Sequence, residues 1–165
     1  MAEKKIKMIR DEEMVVAETD TMDEDRDWAK NETVEFSGKY IAAVGRRKQA
    51  VAQVRLYVDG KGVIMVNGMR AAAYFPGEGY SIIGQPMKVT GHQRDYNFSV
   101  VVKGGGKSGQ VDAVKLGIAR SILEVDSNAK EALKANGFLT RDPRQVERKK
   151  PGLRKARKAP QWSKR

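Results

Sequence analysis

The chain of 165 residues has no cysteine. That absence excludes a disulfide-stapled scaffold and cysteine-ligated zinc or iron–sulfur sites. There is a single histidine, His92, too few for a histidine-cluster metal site and a poor basis for a histidine-based triad. Long apolar runs are missing as well. Stretches such as Tyr40–Val44 reach five residues, against about 20 for a helix that spans a bilayer. The first residues lack the apolar segment of a secretory signal. Positive charge, by contrast, is abundant: 32 Lys and Arg face 21 Asp and Glu, a formal net charge of +11. These features describe a soluble, intracellular, basic protein, one domain plus tails in size, whose partner is a polyanion.

The charge is unevenly spread. Residues 1–38 hold 6 basic and 12 acidic side chains, whereas residues 39–165 hold 26 basic and 9 acidic ones. The last 18 residues, Arg148–Arg165, contain nine Lys or Arg and no acid. The chain therefore divides into an acidic arm (1–38), a globular part (39–140) and a basic tail (141–165). The arm has no sustained apolar period. It reads as disordered or loosely helical, or else as a docking segment or an acidic guard over the tail.

In the globular part, Tyr40–Val44 suits a strand. Val54, Leu56 and Val58 alternate with Arg55 and Tyr57, the pattern of a half-buried strand. Asp59-Gly60 then predicts a turn with positive φ, and Val63–Val66 a returning strand. Met69–Phe75 reads as a short helix, and residues 76–95 as mostly irregular, with Pro86 as a breaker. Tyr96, Phe98, Val100 and Val102 give a fourth strand. Val111, Val114, Ile118 and Ile122 recur at helical spacing, which predicts an amphipathic helix over 110–124. A second helix is expected from Ser127 or Asn128 to Ala135, with Gly137 just past its end. Strands followed by packed helices imply a two-layer α+β domain.

Between the fourth strand and the first helix lies Gly104-Gly105-Gly106-Lys107-Ser108-Gly109. A P-loop needs a glycine five positions before its Gly-Lys-Ser, but that position is Val101, inside the strand. Nucleotide binding is thus poorly supported. Two readings remain: a sharp turn that uses positive φ, or that turn together with a contact from its free N–H groups to an RNA phosphate. Lys107, Lys115 and Arg120 add positive charge nearby. The tail holds Pro151-Gly152 and Pro160, which break helices, and too few apolar residues for a core face. Its cations either remain solvated, or act as a localisation signal, or neutralise a phosphate backbone and order on contact with it. Trp162 either stacks or packs against a partner. His92 sits in a polar stretch as a surface or RNA-contacting residue. Asp112 and Glu124, twelve apart, read as solvated charges. Met65 reads as a packing residue.

Three segments resemble the bacterial form of the small-subunit ribosomal protein nine family. They are Gly45–Ala52 (GRRKQAVA), Gly104–Ile122 (GGGKSGQVDAVKLGIARSI) and the tail from Asp142, ending in Gln161-Trp162-Ser163-Lys164-Arg165. The resemblance covers about residues 39–165, and the acidic arm departs from it. It implies an α+β domain like the second domain of small-subunit ribosomal protein five, with no enzymatic activity, cofactor or small-molecule substrate. It further implies a cytoplasmic protein, in the head of the small ribosomal subunit, among neighbouring head proteins. Ribosomal RNA is expected to meet Arg46, Arg47, Lys48, Lys107, Lys115, Arg120, Arg141, Arg144, Arg148, Lys149, Lys150, Arg154, Lys155, Arg157 and Lys158. Ser163, Lys164 and Arg165 are expected to approach peptidyl-site tRNA. No membrane or metal enters this reading. A nucleotide-dependent enzyme and a DNA-compacting basic protein are the alternatives.

Overall fold

A hairpin forms from β1 (Ile41–Arg47) and β2 (Ala50–Tyr57), both alternating between buried and exposed positions, with small or branched apolar residues filling the buried side of β2. Its two-residue tip is Lys48-Gln49, and Lys48 takes φ +52, a left-handed conformation uncommon for lysine. The computed structural model describes Phe36, residues 38–58 and residues 60–164. The expectations for the acidic arm therefore lie outside the described residues, apart from Phe36 and Gly38.

Three further strands complete the sheet: β3 (Ile64–Val66), β4 (Met69–Arg70) and β5 (Asn97–Lys103). The strand order is β1-β2-β5-β3-β4. β3 does not return beside β2, as the Asp59-Gly60 turn suggested. β5 inserts between them, antiparallel to β2 and parallel to β3. Gly60 is not a positive-φ residue; that role falls to Gly62, at φ +80. Gly60 is small for another reason, since a Cβ there would collide with the backbone of Tyr96 and Asn97.

One face of the sheet is covered by helices. α1 (Ala71–Tyr74) is shorter than the predicted Met69–Phe75 helix because Met69 and Arg70 extend to pair with β3. α2 (Glu78–Thr90) overturns the expectation of irregular chain over 76–95. Pro86 lies inside it rather than ending it, with its ring buried beside Ile83 and Met87. An internal proline costs about 3 kcal/mol, and burial of this i, i+3, i+4 face opposes that cost. The Thr90 hydroxyl, 3.0 Å from the carbonyl of Pro86, closes the last turn.

α3 (Lys107–Val125) starts three residues earlier than its apolar period showed, because polar Lys107 and Ser108 hide its first turn. It is the central helix, with Val114, Ile118, Ala119 and Ile122 fully buried. A 3₁₀ turn over Ser127–Ala129 leads into α4 (Lys130–Ala135). The cap is Asp126, one residue ahead of the expected Ser127; its carboxylate accepts the N–H of Asn128 at 2.9 Å. Gly137 ends α4 as expected. It takes φ +71, and the N–H of Phe138 returns to the carbonyl of Leu133, a Schellman closure. The result is a two-layer α+β fold. Its core runs from Leu56 and Phe98 through Ile83 and Ile118 to Leu133; Met65, 4% exposed, is buried on the opposite face of the sheet, in register with Ser99. No helix among the described residues is long and apolar enough to cross a membrane.

Candidate nucleic-acid interface

The tail leaves the domain through a charge cluster. Arg47 ends β1 on its inward side, only 8% exposed. Its Nε donates to Asp112 on α3 at 3.4 Å, and its Nη2 lies 2.8 Å from Asp142. Its Nη1 donates to the carbonyl of Arg144 at 2.6 Å. Asp142 also accepts the backbone N–H of Arg144 at 2.9 Å across Pro143 and pairs with that residue's guanidinium, an Asx turn that the Asp-Pro-Arg sequence favours. The hydrogen bonds from Arg144, with the charge of Arg47, lower the Asp142 carboxyl to about 2. Arg47 thus spends its donors within the chain. Asp112 is its partner rather than a merely solvated charge.

Beside this cluster the glycine loop is held tightly. Gly104 and Gly105 take φ +73 and +65. A Cβ on Gly104 would meet the Gln49 carbonyl at 2.7 Å, so the loop lies against the β1–β2 tip. The Gln110 amide donates to the Gly104 carbonyl at 3.1 Å, and Asn67 pairs with both backbone groups of Val102. The Gly106 cap of α3 has no side chain, and nothing lies within 4 Å of a Cβ built there. The start of this 19-residue helix therefore opens outward, where its partial positive charge favours anions. A cleft of about 270 Å³ runs between Lys48, Gln49, Gly105 and Gly106 on one side and Gln145 and Val146 on the other.

The other expected residues differ in availability. Arg46 and Lys48 are exposed at the hairpin end. Lys107 sits with Nζ 3.4 Å from the Tyr74 ring centre and donates to the Tyr74 carbonyl. A lysine lodged there suits a P-loop role poorly. Lys115 lies 3.9 Å from Asp112. Arg120 donates to the Val44 carbonyl at 2.7 Å, tying α3 to the edge strand.

Residues 141–164 contain no helix or strand. Arg141 is exposed, as are Lys149, Arg154, Lys155 and Lys158. Arg148 donates to the neighbouring carbonyl of Lys149. Glu147 is the last acid of the chain. It accepts from Arg157, which lowers its pKa, and lies 3.8 Å from Lys150. A turn brings the N–H of Arg154 to the Lys158 carbonyl at 2.7 Å. Trp162 is 80% exposed. Ser163 and Lys164 are exposed, and Arg165 lies outside the described residues.

His92 is at the far end of the domain. It pairs with Asp95 at 2.8 Å and Asp126 at 3.5 Å, which raises its pKa against the opposing effect of burial. No cluster of metal-ligating side chains occurs among the described residues.

The profile of the family described as Ribosomal protein S9/S16 matches residues 45–165, which take in the hairpin tip, the glycine loop, α3 and the whole tail. The chain belongs to the ribosomal protein S9/S16 family. It is also similar to the small ribosomal subunit protein uS9c of Emiliania huxleyi, 52% identical over 125 residues that span 74% of this chain and 95% of that protein. As an S9-family protein it is a structural, non-enzymatic constituent of the small ribosomal subunit, located in the ribosome. Ribosomal RNA and ribosomal proteins are the partners this membership implies.

Proposed function

We propose that the chain divides at about residues 38 and 140, and that its folded part anchors a basic tail within small-subunit ribosomal RNA. The observation that carries this reading is the character of residues 143–164. They form no helix or strand, they are almost wholly exposed, and Glu147 is their one acid. Cations so placed release counterions when they meet phosphates. Lys48, the open start of α3 and the Arg46 side add contacts near the tail's root. Such contacts position the protein without reading sequence. The resemblance of the tail to the family implies that the terminal Ser163-Lys164-Arg165 approaches peptidyl-site tRNA, and an extended tail of 18 residues, up to about 60 Å at roughly 3.3–3.6 Å per residue, is long enough for that reach.

Deletion of Arg148–Arg165 tests the first part. The domain should retain its melting temperature, while the slope of log affinity for ribosomal RNA against log salt should flatten. An unchanged slope would refute RNA threading. Deletion of Ser163–Arg165 alone tests the second part. Subunits should assemble but hold peptidyl-site tRNA more weakly, and undiminished tRNA affinity would refute that contact.

A further inference from the structure

The helices cover only one face of the sheet. The other carries the alternate residues of β1, β2 and β5, which are exposed or half-buried. None of the five strands contains an Asp or Glu. Arg46, Arg55 and Lys103 project from exposed positions on this side, and none is ion-paired to another described residue. At one end stands an aromatic group. The Tyr57 ring lies 5.3 Å from Phe36 and 6.0 Å from Tyr40, and the Arg55 guanidinium sits 5.1 Å from the Tyr40 ring centre. Tyr40 is 49% exposed.

Antiparallel sheets with one wet face ordinarily mix charges of both signs there. This one has cations, one exposed and two half-buried aromatic rings, and no carboxylate among its strand residues. Arg55 and the Lys103 row are separated by four residues along β2, because Val51 pairs with Lys103 and Arg55 with Ser99. At about 3.3 Å per residue that is roughly 13 Å. The charges therefore form a line along the strands rather than a point. Rings at one end with cations trailing from them suit a polyanion with flat faces: bases stack on the tyrosines and on Arg55, and the backbone follows the cations. Duplex RNA buries its base faces and cannot use the rings.

We propose that the open sheet face is a second RNA surface, which holds an unpaired segment of ribosomal RNA by stacking on Tyr40 and Tyr57 beside Arg55. It rests on the RNA-binding reading above and adds the class of RNA and the residues. The test uses the full chain and a short unstructured RNA carrying 2-aminopurine, whose fluorescence is quenched by stacking. Wild-type protein should quench it. Tyr40→Ala/Tyr57→Ala should lose the quenching and about 10-fold or more in affinity, whereas Tyr40→Phe/Tyr57→Phe should retain both. Arg55→Gln, which leaves the rings in place, should weaken affinity. Each variant is checked for an unchanged melting temperature.

Wild-type protein that binds no RNA would sink the RNA-binding reading itself. Binding that is equal in wild type and Tyr40→Ala/Tyr57→Ala, or a preference for duplex, overturns only the sheet surface. So does carboxyl-to-amine cross-linking of Lys103 to residues 1–35 in a chain that does not quench, since the acidic arm would then be the occupant. Assembled subunits in which the alanine variant loses a neighbouring protein, with quenching intact, assign the face to a protein and equally overturn the proposal.

Discussion

The guanidinium of Arg47 and the carbonyl of Arg144, 97 residues apart in the chain, meet at 2.6 Å. This contact fixes the direction in which the tail leaves the domain, because Asp142 joins the same guanidinium from the other side of Pro143. Arg47→Met should cost about 0.5–1.5 kcal/mol, the net worth of a hydrogen bond, since Asp112 and Asp142 keep 39% and 31% of their side-chain surface in water and can be solvated when the guanidinium is gone. A nitroxide at Val146→Cys, the only thiol in such a variant, should show greater mobility when Arg47 is Met and partial restoration when it is Lys. Equal mobility in all three would mean that the tail root is set by something else.

Asp142 makes that latch resistant to acid. Its carboxyl is lowered to about 2 by hydrogen bonds from Arg144. A depressed carboxylate contributes stability that is complete above its unfolded value and disappears as pH falls through the folded value. The latch should therefore stay closed as pH drops past 3.8 and open only near about 2. Carboxyl chemical shifts of Asp142 across that range check it, and titration near the ordinary value would contradict it.

Gly45 and Gly117 let β1 and α3 touch. A Cβ on Gly45 would stand 2.6 Å from the Gly117 nitrogen and closer still to the Ala113 carbonyl. A Cβ on Gly117 would meet Val54 at 2.5 Å. Backbone cannot yield as a side-chain end does, so Gly45→Ala should be the worse of the two. Overpacking costs about 1–3 kcal/mol, and urea denaturation of both variants should show losses of at least that size. A neutral Gly45→Ala would mean that strand and helix can separate freely.

The strands β2 and β5 and the helix α3 were legible because each has one buried face, and one buried face leaves a period; β1 showed only as the short apolar stretch Tyr40–Val44. β3 could not be placed beside β5, since a three-residue strand buried on both sides has no period and nothing in the chain marks a parallel partner. α2 was hidden by Pro86, a residue that penalises a helix locally but here adds to its buried face. At the candidate site, the sequence marked a set of cations but not which of them are occupied within the chain. Arg46, Arg47 and Lys48 look alike as a basic run. Strand alternation turns only Arg47 inward, where Asp112 and Asp142 arrive from positions 65 and 95 residues away. The open sheet face leaves no mark in the sequence because Arg55 and Lys103 lie on different strands, and only their alignment across β2 and β5 makes them one surface.

His92 gives the opposite sign from Asp142. The Asp95 hydrogen bond, aided by Asp126, favours its protonated form and raises its pKa above 6.5. The stability it contributes is complete below 6.5 and is lost as pH rises through the raised value. The clasp joins the loop after α2 to the cap of the 3₁₀ turn, because Asp126 also holds the Asn128 N–H. The melting temperature should fall modestly across that window in the wild type, and His92→Ala should remove the dependence. The same pH profile in both proteins would place its origin elsewhere.

Gly106 separates folding from RNA contact. Its φ of −100 and ψ of 167 suit any residue, and open space surrounds its Cβ position. Both Gly106→Asn and Gly106→Asp should cap α3, for a gain of at most a few tenths of a kcal/mol over glycine. Only the aspartate places a negative charge where a phosphate would approach the helix start. It should weaken binding to ribosomal RNA at low salt, while asparagine leaves affinity near that of the wild type. The difference between the two should shrink as salt is raised, because exposed charges are screened. Two variants equal in both stability and affinity would show that no phosphate reaches the glycine loop, and the loop would then serve only as the turn that brings β5 into α3.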